Sequence, residues 1–167
     1  MKKIQIGDVF STQINDFEKK YFQYISKDIN QLNSDVIKVF DNKYLIIEKP
    51  DYENLLNCKI GFFAHTFLTI GIKNGLFKKE GNMPVIDRID KIIFRSTSDY
   101  GTRIGEVPIL KTNNWKFWNL EDNEINKFRM LKVDDFNSTY IGIVFNPSGI
   151  LELLKGNKYP INYPSKL

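Results

Sequence analysis

The sequence predicts an α+β fold that is mostly β: a curled antiparallel sheet or small β-barrel with a C-terminal helix and one short helix. Three observations predict it. Short apolar runs recur along the 167 residues, separated by stretches of turn composition. Two of these runs, YFQYI (21–25) and VIKVF (36–40), are apolar on both faces of a strand, which places them in the middle of the fold. Only two stretches carry helix-capping signals.

In chain order, the predicted strands of the first half are IGDVFSTQ (6–13), KKYFQYIS (19–26), VIKVF (36–40), GFFAHTFLTI (61–70) and GLFKKEG (75–81). In the second, Phe22 and Tyr24 oppose Tyr21 and Ile25; in the third, Val36 and Phe40 oppose Ile37 and Val39. Between them, PDYENLLN (50–57) predicts a short helix, capped by Asp51 and burying Leu55 and Leu56. The second half continues with DKIIFRS (90–96), WKFWNL (115–120), FRMLKV (128–133) and STYIGIVF (138–145). NPSGILELLKG (146–156) predicts the clearest helix. Asn146 caps it, Pro147 occupies the first turn and Gly156 closes it, with Ile150, Leu151, Leu153 and Leu154 forming the apolar stripe. No linker, repeat or low-complexity segment divides the chain, so one domain over 1–167 is expected.

Composition excludes several classes. Hydrophobic residues make up 42% and charged residues 26%, a globular balance rather than a disordered one. The formal charge of +4 is spread along the chain, and 20 of the 24 cations are lysine. Arginine is the residue of bidentate phosphate and guanine recognition, so nucleic acid is not the expected partner. The longest uncharged apolar run, residues 60–72, is short of the ~20 residues that span a bilayer. MKKIQIGDVF reaches Asp8 before any apolar stretch of signal-peptide length, and Cys58 is alone. The expectation is a cytoplasmic protein without disulfides or a membrane span.

Catalytic chemistry is thinly supplied. His65 is the single histidine, which excludes a multi-histidine metal site. A Cys58–His65 hydrolytic dyad is the weakest of three functional readings, because a nucleophile needs an adjacent base and the spacing matches no known signature. His65, set between Phe63 and Phe67, reads as a structural histidine. Asp87 and Asp90 in DRID, and Asp134 and Asp135, read as solvated acids without further ligands beside them. No metal or cofactor is expected.

Aromatic residues reach 14%. Trp115 and Trp118 fall on opposite faces of a strand, so one is expected in the core and the other outside. The polar loop 96–106 offers Tyr100 and Arg103, and NLEDNE contributes Glu121, Asp122 and Glu124 as an acidic cluster. These seven residues are the candidate partner-binding set: aromatic and arginine anchors for affinity, acids for steering. A second reading uses the same aromatics as stacking platforms of a nucleic-acid-binding barrel.

The runs IQIGDVFSTQI, KYFQYISKDINQLNSDVIKVF and GIKNGLFKKEGNMPV together resemble the immunity protein 26 family of bacterial polymorphic-toxin systems. Gly7, Asp8 and Phe10 match its G-D-x-F strand entry, and Tyr21 to Ile25 its aromatic strand. Gly75, Phe77, Glu80, Gly81 and Pro84 match a later glycine-bounded element. The resemblance covers about residues 4–95, leaving 96–167 as C-terminal strands and helix. Phe77 stands where the family has tryptophan, and Glu80 where it has an apolar residue. The resemblance implies a mostly β protein without enzymatic activity that binds and neutralises a cognate protein toxin.

Overall fold

The chain enters its first strand through a turn that suits only glycine. Gly7 has φ of +93°, and a Cβ on it would lie 2.7 Å from the Met83 carbonyl oxygen. The next residue, Asp8, is fully buried, and its charge is answered on every side. Its carboxylate accepts from the Gln5 amide and Asn82 Nδ2 and pairs with Lys79 Nζ at 2.5 Å.

The structure, a computed structural model, describes residues 3–101, 106–120, 136–157 and 163–166. From the Gly7 turn run β1 (Asp8–Gln13), β2 (Glu18–Asp28), β3 (Ser34–Phe40) and the two-residue β4 (Tyr44–Leu45). Helix α1 (Tyr52–Asn57), β5 (Ile60–Thr66), α2 (Leu68–Lys73) and β6 (Lys78–Asn82) follow. After a 3-10 turn at Ile89–Lys91 come β7 (Ile93–Ser96), β8 (Lys111–Thr112) and β9 (Lys116–Asn119). A second 3-10 turn (Phe136–Ser138) leads to β10 (Tyr140–Ile141), α3 (Pro147–Leu154) and β11 (Ser165–Lys166).

The main sheet has the order β5-β3-β2-β1-β6, with β4 also paired to β2, and all its pairs are antiparallel. It is open: β5 and β6 are its two edges, so the curled-sheet alternative holds and the barrel does not. A smaller sheet has the order β10-β7-β9, and β11 pairs with β8. The segment after β10 returns to the β5 edge. There His65 bridges Val144, and the Phe145 amide donates to the His65 carbonyl at 2.9 Å.

Both faces of the main sheet are covered. One presents Phe10, Phe22, Tyr24, Ile37, Val39 and Ala64 to Leu68, Phe77, Phe145, Ile150 and Leu154. The other presents Val9, Tyr21 and Phe40 to Leu55 and Met83, and Ile25, Val36 and Phe63 to Phe94 and Trp118. Each large side chain buried this way stabilises by roughly 1.5–3 kcal/mol. On the second face the cross-strand neighbours Gln23 and Lys38 are polar. Gln23 Nε2 donates to the Met83 and Pro84 carbonyls at 2.9 and 3.2 Å, and Lys38 Nζ meets Asp87 at 2.6 Å. These bonds lay the 83–87 segment across the sheet.

Capping explains both predicted helices. Asp51 accepts from the Asn54 amide, Asn146 accepts from the Gly149 amide at 2.6 Å, and Gly156 follows α3 with φ of +88°. Other boundaries are corrected. The predicted strand 61–70 ends at Thr66, where Asp35 accepts from the Leu68 amide and starts α2. Gly71 lets that helix lie on the Phe77 ring, since a Cβ would fall 2.0 Å from Phe77 Cδ2. The predicted strand 75–81 begins only at Lys78, because the Leu76 and Phe77 amides fold back to the Gly71 carbonyl. Of 138–145, only Tyr140–Ile141 pairs as a strand, and 90–96 opens as a 3-10 turn. The predicted strand 128–133 lies outside the described residues.

Gly7 and Gly75 separate backbone strain from crowding, because Gly75 also has positive φ (+71°) but open space around it. Gly75→Ala is expected to destabilise by about 1 kcal/mol and Gly7→Ala by about 2–3 kcal/mol. The comparison is read from urea midpoints at unchanged m. Equal losses would mean that the contact with Met83 relaxes freely.

Candidate functional site

The predicted binding residues divide between core and surface. Trp118 is 1% exposed, packed beside Phe94 and His65, with Gly142 against its indole. It is the core tryptophan and is removed as a surface anchor. Trp115 is the outer one and lies on the side of Phe117, as strand alternation predicts. Its indole is nevertheless engaged: Nε1 donates to the Thr112 carbonyl at 2.9 Å, and the ring meets Phe136 edge-on at 4.8 Å and Tyr163 at 5.8 Å. Tyr163 also contacts Tyr100 at 6.0 Å, so Tyr100 and Trp115 belong to one aromatic cluster, with Tyr100 its more exposed member. Arg103, Glu121, Asp122 and Glu124 lie outside the described residues.

His65 is held where a structural histidine belongs. Its Nε2 lies 3.0 Å from Asp28 Oδ2, and both side chains are buried. Burial pushes the Asp28 carboxyl up, but the His65 hydrogen bond and the Gln31 and Leu32 amides outweigh it and hold the group below the usual carboxylate range. Sequence reading missed Asp28, whose 37-residue separation from His65 leaves no local signal. Cys58 is elsewhere: it packs against the cluster under α1, and its Sγ contacts the Lys59 carbonyl. Without contact between thiol and imidazole there is no activated nucleophile. Asp87 pairs with Lys38 and Asp90 with Arg88, and the described residues contain no group of three potential metal ligands. Asp134 and Asp135 lie outside the described residues.

A surface that sequence reading did not single out is more conspicuous. Phe17 (76% exposed) and Ile47 (88%) stand with Ile46 and with Leu45, the last residue of β4, on two adjacent segments joined by a hydrogen bond from the Ile46 amide to the Phe17 carbonyl. Both loops are built rather than slack. Asn15 Oδ1 accepts from the Phe17 and Glu18 amides at 2.9 and 2.8 Å. Glu48 accepts from the Leu45 amide at 2.7 Å, while its carbonyl accepts from Lys19 Nζ at 2.6 Å and from the Tyr21 hydroxyl at 3.0 Å. The available signal was three consecutive apolar residues, Leu45 to Ile47, flanked by charges and assigned to no element.

Ile46 also borders a polar cleft of about 260 Å³, which Ser11, Gln13, Lys19, Lys78 and Glu80 help to line. Ser11 Oγ donates to Glu80 at 2.6 Å. Burial pushes the Glu80 carboxyl up, yet the Ser11 hydroxyl and Lys78 prevail and hold it below its ordinary value. A carboxylate held that low is a poor base near neutral pH and leaves Ser11 unactivated. Burial, with help from Glu80 and Glu48, pushes the Tyr21 hydroxyl up to about 12, so it stays a neutral donor.

No protein-family model, curated protein or solved structure matches the chain.

The depressed Asp28 carboxyl links stability to pH. Its folded value lies below the unfolded one, so its contribution is complete above the unfolded value, about 3.9, and is lost as pH falls through the folded value. Asp28→Asn is therefore expected to cost about 3 kcal/mol at pH 7, with the deficit shrinking below about pH 4. Urea titrations of both proteins at neutral and acidic pH measure it. A deficit that stays constant would assign the effect to packing alone.

Proposed function

We propose that this protein is a non-catalytic module that binds another protein through the Phe17, Leu45, Ile46 and Ile47 surface. On the resemblance of residues 4–95, the partner is a cognate bacterial toxin that binding neutralises. The observation that carries the reading is the exposure of four neighbouring apolar side chains on hydrogen-bonded loops beside a polar cleft. Contiguous exposed apolar surface marks interaction sites, and loops fixed in advance lose little entropy on binding. Two further features support it. The low Glu80 carboxyl and the separation of Cys58 from His65 argue against hydrolysis. The burial of Trp118 and the packing of Trp115 on Phe136 leave few free platforms for stacking bases.

The residues behind the resemblance meet in space. Gly7, Asp8 and Phe10 open β1, and Phe77 and Gly81 flank or lie in its partner β6. Phe22 contacts both Phe10 at 5.5 Å and Phe77 at 4.9 Å. Phe10, Phe22 and Phe77 join β1 to β6 as scaffold, while Glu80 also lines the cleft that Ile46 borders.

Co-expression with any toxin found encoded beside the gene, scored by survival and followed by titration calorimetry, tests the reading. Phe17→Ala and Ile47→Ser are expected to weaken binding by about 2 kcal/mol each, near 30-fold, while changing stability by less than about 0.5 kcal/mol. Loss in Tyr100→Ala with full affinity in both loop variants would move the interface to the Tyr100 cluster. Failure of the wild-type protein to protect would sink the toxin reading itself.

A further inference from the structure

We propose that the cleft bordered by Ile46 is the socket for an acidic side chain of the protein partner. The inference rests on the reading of the Phe17–Ile47 surface as a docking site, and adds the chemistry of what docks. The cleft holds about 260 Å³, the liquid volume of roughly eight or nine waters, more than a carboxylate side chain displaces.

Strand register sets what faces it. Ser11 pairs with Tyr21 and Gln13 with Lys19 across β1 and β2, so Ser11, Gln13 and Lys19 share one face of the hairpin. The Ser11 bond to Glu80 brings the β6 carboxylate onto that face. Three charged side chains therefore line the cleft: Lys19, Lys78 and Glu80. Lys78 Nζ lies 3.2 Å from Glu80 Oε1, and these two charges offset one another. Lys19 is 6% exposed, and its charge is felt at Glu80. The bond that holds its Nζ goes to a neutral acceptor, the Glu48 carbonyl at 2.6 Å, while the Glu48 carboxylate is turned to the Leu45 amide. An ammonium has three N–H donors, so this bond does not exhaust it. The lining carries one net positive charge, and it sits on the most deeply buried of the three groups.

That balance selects the occupant. A buried cation gains most from a counter-charge that arrives with its own desolvated surroundings, as a carboxylate does on a docking protein. A lysine or arginine would meet two ammonium groups, and a doubly charged phosphate would meet Glu80. A neutral amide would leave the Lys19 charge uncompensated. Ile46 stands at the rim, so an acid beside an apolar residue on the partner engages cleft and surface together.

Amide NMR with blocked glutamate and blocked glutamine (N-acetyl, N-methylamide) tests the socket without a toxin. Blocked glutamate is expected to shift the Ser11, Thr12 and Gly75 amides saturably at millimolar concentration, at least about fivefold more tightly than blocked glutamine. Two substitutions should move that preference in opposite directions. Lys19→Met should erase it, and Glu80→Gln, which raises the lining charge, should widen it about threefold. Damage to the fold does not produce that pair of signs. Equal binding of the probes, no binding of blocked glutamate, or a preference that Glu80→Gln leaves unchanged or lowers overturns the proposal. So does a preference that survives Lys19→Met, which would place the anion on an exposed lysine. If Lys19→Met does not fold, the wild-type contrast and Glu80→Gln still decide. The docking surface is judged separately, by the toxin affinity of Phe17→Ala and Ile47→Ser, so failure of the socket and failure of the surface are told apart.

Discussion

The central strands β2 and β3 are buried on both faces, and the rest of the architecture follows from covering them. A sheet with one wet face would need only a pair of helices. This one also needs a second layer over Val9, Tyr21, Ile25, Val36 and Phe40, which α1, the 83–87 segment and the β7–β9 strands supply. Apolar burial alone would let that layer slide. Gln23 and Lys38 prevent it, because each is buried and its side-chain nitrogen finds its hydrogen-bond partner in Met83 and Pro84 or in Asp87, which lie over it. Apolar contact supplies the stability, and two polar side chains supply the register.

What was legible in the sequence was what is written locally. Caps at Asp51 and Asn146 marked their helices, and alternation in WKFW separated an inner tryptophan from an outer one. Two-sided strands correctly announced a two-sided sheet. The failures share a cause. GFFAHTFLTI is apolar enough to be buried as strand or helix, and the choice was made by Asp35, a residue on a neighbouring strand. The partner of His65 was equally remote. Phe17 and the Leu45–Ile47 run each looked like ordinary apolar residues in turns, of the kind most surfaces carry. Only the pairing of β2 with β4 makes them neighbours.

Display and support are divided between distinct parts of the molecule. The apolar loop tips carry no core function, whereas the groups that hold them, Asn15, Glu48, Lys19 and Tyr21, are tied to β2 or to one another. Such a division lets the exposed residues vary while the platform stays constant. The supporting hydrogen bonds come from Asn15, Glu48, Lys19, Tyr21 and the backbone, so a side-chain change at Phe17 or Ile47 leaves them in place.

The buried Asp8 has a consequence for how the chain assembles during synthesis. The β1–β2 hairpin is local and closes early, but Asn82, which bonds Asp8, lies 74 residues further on, as part of the strand that also brings Lys79. Until β6 emerges from the ribosome and docks, the first carboxylate of the sheet stays hydrated and the amino-terminal turn stays unlocked. The strand β1 is thus secured only after a segment far along the chain has docked. A chain that ended before β6 would leave the β1 edge unpaired and Asp8 without Asn82 and Lys79.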